Sequence, residues 1–348
     1  MSKIDIKAMI KDLKKNELTE LISVAQEVLS TLFNSSEIRD NVKESRFSKG
    51  YECPKCQCKD VNKNGKSNGR QRYICKRCRT SFDEFTMSPF SNTKLGLDKW
   101  LKYCELMILG RSIRKCAEEV GVGLKTSFYM RHRILDVINL SLKNDKVEGI
   151  VEVDECFIKE SFKGNHSKST TFVMPRNPRK RGKGKNDKKK RGISKEQICI
   201  ETAIDRKGNI LMSAVCNGRI TTNQIINFFD NKICEDATFC VDSHKSYMAI
   251  KDKLNIELKQ VPRGKSMIDS VYHLQHINAL HSSFKRWLMT FNGVSTKYIN
   301  NYLAWFKFLQ LSKKNKKNDQ IKDMLVNVAT KDTYVTRATI RNRFIELI

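Results

Sequence analysis

A multidomain α+β chain is expected: helices at the amino terminus, a cysteine-rich ribbon, a helical pair, then an α/β domain with a mixed sheet. Three observations carry this. Cysteines cluster only between residues 53 and 78, in a stretch too polar for a conventional core. Apolar residues recur at helical spacing through 94–140. Short β-rich runs, "VEVDECFI", "QICIETAID", "NILMSAVC" and "ATFCVD", fill the region after 150, with the helical "TNQIINFFDNKI" before the fourth. At 348 residues the chain exceeds one compact unit. The expected boundaries are a helical segment at 1–45, the ribbon at 46–90, a two-helix unit at 91–145, the α/β domain at 146–312 and a basic tail at 313–348.

Charge narrows the class. Lys and Arg number 66 against 38 Asp and Glu, a formal net charge of +28, which calls for a polyanionic partner held by phosphate neutralisation. Nucleic acid is the first candidate. A membrane is disfavoured, because no run of 18 apolar residues occurs and the opening "MSKIDIKAMIKDLKK" is unlike a signal peptide. A cytoplasmic protein is expected.

Residues 4–33 carry apolar positions from Ile6 to Leu32 at helical spacing, with a break near Lys15 and Asn16. Two helices or one bent helix fit. Their apolar stripe can pack on the rest of the chain or on a second subunit.

The ribbon follows from the cysteines. "CPKC" at 53–56 and "CKRC" at 75–78 enclose 18 residues, so Cys53, Cys56, Cys75 and Cys78 can converge as tetrahedral ligands of one structural Zn²⁺. Cys58 lies outside this spacing. Asn-Gly turns between the knuckles predict short strands with basic residues outside. Four thiolates leave no open coordination position, so the site binds and does no chemistry.

The helical pair reads as a helix-turn-helix. In "SIRKCAEEVGVGLKTSFYMRHRIL", Ser112 caps a first helix, residues 121–123 turn, and a second helix from Leu124 to Leu135 exposes Lys125, Thr126, Ser127, Tyr129, Arg131 and His132. A plain helical hairpin has the same grammar. Its place after a ribbon in a basic chain favours DNA recognition.

Between the first two β-rich runs lies "PRNPRKRGKGKNDKKKRGISK", with eleven Lys or Arg in 21 residues. Such a composition cannot bury itself. It reads as a basic loop over 175–195, either a solvated linker or a DNA-contacting arm through Arg176, Arg179, Lys180 and Arg181. The tail beyond Lys313 reads as a basic surface segment with weak helix.

Asp154 and Glu155 interrupt the apolar run "IVEVDECFIK". A strand, a hairpin, a helix, a fourth strand ending in "CVDSHKSY" and then helices is the order of an RNase H-like fold. There Asp154 and Asp242 fall on neighbouring central strands and can share Mg²⁺. Divalent cations relieve the repulsion between such carboxylates and offset their burial. Asp154 is the better ligand, because adjacent strand residues point to opposite faces.

Six ordered blocks then resemble the IS1595-type insertion-sequence transposases with an ISXO2-like catalytic domain, over roughly residues 50–310. They are the ribbon with "GRQRYICKRCRTSF", the helical pair, "VEVDECFIKESFKGNH", "PRNPRKRG" with "GISKEQICIETAIDRKG", "CVDSHKSY", and "HLQHINALHSSFKRWLMTFNGVSTKYINNYLAWF". The resemblance implies a DDE-type nuclease using two Mg²⁺, or Mn²⁺, with Asp154 and Asp242 as ligands. It also implies paired element ends, hence a homodimer or higher oligomer on double-stranded DNA, and a nucleoid-associated protein of a bacterial host.

The third ligand position departs from the acidic pattern. No Glu occurs between Glu257 and Glu346, and the matching residue is Asn278, followed by Lys285, as in a branch of the family. Seven residues is nearly two helical turns, so amide and ammonium share a face, one toward metal and one toward phosphate. An uncharged ligand holds the second Mg²⁺ more weakly. His281, near that face, touches DNA or packs. The rival reading is a DNA-binding protein that lost catalysis through Asn278.

Overall fold

The computed structural model describes residues 14–67, 69–143, 145–165, 172–175, 192–242, 245–331, 333 and 335–348. These form two compact units, one from residues up to 130 with 317–334, the other from 131–316 with 335–348.

In the first unit, helix α1 (Lys15–Phe47) leads into a three-stranded antiparallel sheet of β1 (Val61–Ser67), β2 (Arg70–Cys75) and β3 (Ser81–Phe82). Its small core is cysteine and aromatic: Tyr73 packs on Phe82, Phe47 and Tyr51. Helices α2 (Leu97–Ile108) and α3 (Ile113–Val120) follow, then α4 (Leu124–Ser141), within which the division between units falls. Ser112 caps α3 by accepting the Lys115 N–H, and Gly121, at φ 66°, ends it in a left-handed residue.

The second unit is built on five strands: β4 (Ile150–Lys159), β5 (Gln197–Asp205), β6 (Ile210–Asn217), β7 (Thr238–Val241) and β8 (Glu257–Gln260). Their order is β6-β5-β4-β7-β8, antiparallel from β6 to β4 and parallel from β4 to β8. This is the expected mixed sheet. Alternation along β4 explains its two faces. Val151 and Val153 enter one core with α5 (Thr222–Phe229), while Cys156 enters a second core with α8 (Gln275–Met289) and α9 (Ile299–Leu311). The short helices α6 (Lys245–Met248) and α7 (Lys251–Leu254) connect β7 to β8.

Three expectations need correction. The segment after Lys313 is no surface tail: α10 (Lys317–Thr330) buries Met324, Val328 and Ala329 in the first unit, and α11 (Arg337–Arg341) buries Ile340. The lysines leading into α10, Lys313, Lys314 and Lys316, drew attention from the apolar Ile321, Met324, Val328 and Ala329 that follow. A fifth strand, β8, pairs with β7 although "ELKQ" has no β-rich pattern, because an edge strand needs little burial.

The third concerns α4. Ser127, Arg131 and His132, expected on its exposed face, are buried. Ser127 donates its hydroxyl to the Ile113 carbonyl at 2.9 Å, which satisfies it internally. The Arg131 guanidinium lies 4.9 Å from the Trp305 ring centre and 5.8 Å from that of Phe291, where cation–π attraction offsets its desolvation. His132 stacks on Tyr298 at 4.2 Å, and burial, with Arg343 and Arg131 nearby, lowers its pKa to about 3. Lys125 remains exposed, and Thr126 and Tyr129 are half-buried. Arg176, Arg179, Lys180 and Arg181 lie outside the described residues.

Candidate functional site

The cysteine knuckles are built alike. In each, the residue four after the first cysteine adopts a left-handed conformation, Gln57 at φ 57° and Arg79 at φ 59°, and its N–H returns to that cysteine's carbonyl. The chain thereby turns its sulfurs inward. Cys53 and Cys78 Sγ lie 3.5 Å apart, Cys56 and Cys75 Sγ 3.6 Å, and all four sulfurs fall within 4.8 Å of one another. A tetrahedral Zn²⁺ with Zn–S near 2.3 Å requires sulfurs about 3.8 Å apart, so the four thiols fit that ion.

The acidic site forms at the centre of the five-stranded sheet. Ile150 pairs with Thr238 and Glu152 with Cys240, so the same register carried onward sets Asp154 level with Asp242, just past the end of β7. Burial, then Glu155 and Asp242, push the Asp154 carboxyl up to about 7, against the lowering pull of Lys285. Each repelling neighbour is an acid. The arrangement is one a divalent cation relieves, and its hard oxygen donors suit Mg²⁺ or Mn²⁺.

Helix α8 lies over Asp154. His281 Nδ1 is 3.6 Å from Asp154 Oδ2, and burial, then Lys285, lower its pKa to about 4, so this contact joins a neutral imidazole to the carboxyl. Asn278 and Lys285, one turn to either side, are exposed. The structure thus brings Asp154, Asp242, His281 and Lys285 into one neighbourhood, with Asn278 on the same helical face.

Two groups escaped the sequence reading. Glu201 pairs with Glu155 across β4 and β5 and is fully buried, its Oε1 accepting the Tyr247 hydroxyl at 3.2 Å. Burial, then Glu155, raise its pKa well above the usual carboxylate range. An acid within "QICIETAID" is the same signal that marks Asp154. The second group is Glu152, 1% exposed, two residues before Asp154 on the same face. Its Oε1 meets Arg206 Nη1 at 2.6 Å and His276 Nδ1 at 2.7 Å, with His273 at 3.3 Å. Glu152, His273 and His276 have metal-ligand proximity, but Arg206 already supplies the cation, so this is an ion-paired anchor for the start of α8. Among the described residues no helix is long and apolar enough to cross a membrane.

Residues 146–310 match the ISXO2-like transposase domain. A relative, the "Uncharacterized protein in transposable element ISH50" of Halobacterium salinarum, is 25% identical over 264 residues, covering 75% of this chain and 86% of its own. Among solved structures, a pre-cleavage Mos1 transpososome is 13% identical and covers 65% of this chain and 76% of its own; its TM-score of 0.23 defines no shared fold.

Proposed function

We propose that this chain, whose residues 146–310 match the ISXO2-like transposase domain, acts as an IS1595-type insertion-sequence transposase: it binds the terminal inverted repeats of its element, cleaves there and joins the ends to target DNA. The observation carrying this reading is the register that levels Asp154 with Asp242 beneath α8. Strand order β6-β5-β4-β7-β8, with its antiparallel and parallel halves, supports an RNase H-like catalytic domain.

In this reading Asp154, Asp242 and Asn278 hold two divalent ions. Bound Mg²⁺ or Mn²⁺ supplies Lewis-acid activation of the attacking hydroxyl and stabilises the leaving oxygen. The protein contributes position and charge. The paired central strands fix the two carboxylates, Asn278 offers an amide oxygen without charge, and Lys285 faces the phosphate. Water cleaves first, and the freed 3′-hydroxyl then attacks the target strand in line, with no covalent protein intermediate.

DNA binding falls to the Cys53, Cys56, Cys75 and Cys78 ribbon with one structural Zn²⁺, to α3 and α4 through Lys125, Thr126 and Tyr129, and to the basic segment with Arg176, Arg179, Lys180 and Arg181. Pairing of element ends calls for a dimer or larger assembly.

The uncharged Asn278 favours one rival, a DNA-binding relic without catalysis. A duplex carrying the element's own terminal repeat separates them. Nicking by the unmodified protein in Mg²⁺ or Mn²⁺ supports the transposase; binding without nicking in either metal supports the relic.

A further inference from the structure

We propose that the turn at 262–265 and the start of α8 form a groove for the DNA backbone beside the carboxylate pair, with Arg263 and Lys265 as its phosphate contacts. The inference rests on the transposase reading and assigns that site a second set of substrate contacts.

The turn is anchored to the site. Val261 donates its N–H to the Val241 carbonyl at 2.9 Å, extending the β7–β8 ladder to the residue before Asp242. The chain then reverses: Lys265 N–H returns to the Pro262 carbonyl at 3.0 Å, with Gly264 at φ 88°, a conformation that strains any residue with a Cβ. Arg263 is thereby held at the tip of a tight turn. In an open sheet with parallel strands, ligands bind outside the carboxyl ends of those strands, and this turn stands at the carboxyl end of β8.

The turn and α8 enclose a cleft of about 370 Å³, lined by Arg263, Lys265, Ser266, Leu274, Gln275 and Asn278. Asn278 is the residue assigned above to the third metal position, so whatever fills the cleft abuts the reacting centre. Arg263 and Lys265 are exposed, and no acidic side chain lines the cleft. The groove is cationic and undischarged.

The start of α8 does not by itself attract an anion here, because the Glu152 carboxylate already accepts the Ile277 N–H. Anion binding in the cleft therefore depends on the two side chains of the turn. Leu274 is the one large apolar residue of the lining besides Val261 and Pro262, and no ring is present to stack a base. Such a surface holds phosphates and reads no sequence, which suits a site that must accept both an element end and arbitrary target DNA.

The test uses the full chain with Arg263→Ala and Lys265→Ala combined, beside Arg263→Lys as the charge-preserving control. Binding is measured on a labelled duplex carrying the terminal repeat and on an unrelated duplex of equal length, across a series of KCl concentrations. Loss of two phosphate contacts should flatten the slope of log K against log[salt] by about 1.8 on both duplexes. At saturating DNA, cleavage should slow by about tenfold or more, with the Mg²⁺ concentration for half-maximal rate unchanged. Arg263→Lys should keep the parental slope.

An unchanged slope overturns the proposal. So does a flattened slope with unchanged cleavage, which would place the contacts away from the reacting strand. If the unmodified protein cuts in neither metal, the transposase reading fails, and the slope still decides whether these residues hold DNA.

Discussion

The Glu152 carboxylate accepts the Ile277 backbone N–H at 3.0 Å, tying the strand that carries Asp154 to the helix that carries Asn278. Its other oxygen binds Arg206, which also donates to the Val271 carbonyl at 3.1 Å. One carboxylate therefore sets the separation of two proposed ligands. Glu152→Ala should cost about 2–4 kcal/mol, because Arg206 and the helix start lose a buried partner. Glu152→Gln, which keeps an acceptor, should cost less. Urea unfolding of both variants checks the order, and equal loss in the two would assign the effect to charge alone.

Removing one sulfur from the ribbon should release the metal. Cys75→Ser protein should contain less than one zinc per chain by elemental analysis and bind DNA more weakly. The unit of residues 131–316 with 335–348, with its own two cores, should keep its cooperative unfolding transition. Zinc-free unmodified protein, purified without chelator, would sink the assignment.

Asp154→Asn and Asp242→Asn should each abolish strand cleavage and leave end binding nearly intact, since the change removes a metal-facing charge from the sheet centre. Asn278→Ala should raise the Mg²⁺ or Mn²⁺ needed for cleavage. In a relic, Asn278→Glu would instead restore cutting to an inert parent. Gel assays on the terminal-repeat duplex read all four variants.

Stability should fall as pH drops, through His132. Its native pKa is near 3, below the roughly 6.5 of an unfolded histidine, so between these values the unfolded chain binds a proton that the native chain refuses. The contribution is complete above about pH 6.5 and diminishes as pH falls toward 3. Replacing His132 with Phe should flatten this limb of the pH–stability curve. An identical limb in both proteins would refute the assignment.

Periodicity and spacing made much of this legible. The β-rich runs around Val153, Ile200, Ala214 and Phe239 form paired strands because each alternates into a core, and the cysteine knuckles are readable from spacing alone. What escaped notice depends on partners distant in sequence. Arg131 looked solvent-facing because nothing local announces Trp305 and Phe291. Glu152 drew no attention beside Asp154, since its partners Arg206 and Ile277 lie 54 and 125 residues away. The lysines that precede α10, Lys313, Lys314 and Lys316, hid the burial of Met324 and Val328 for a related reason: they made the whole segment read as surface.

The β4–β5 ladder is closed off before the basic segment begins. Lys159 pairs with Gln197, and beyond them Glu160 donates its N–H to the Glu196 carbonyl at 3.0 Å. Chain added or removed between residues 166 and 191 therefore enters outside a finished hairpin stem. Doubling such an excursion costs only about 0.6 kcal/mol in closure entropy. An evolving lineage can thus rewrite that segment's length and charge while Asp154 stays in register with Thr202.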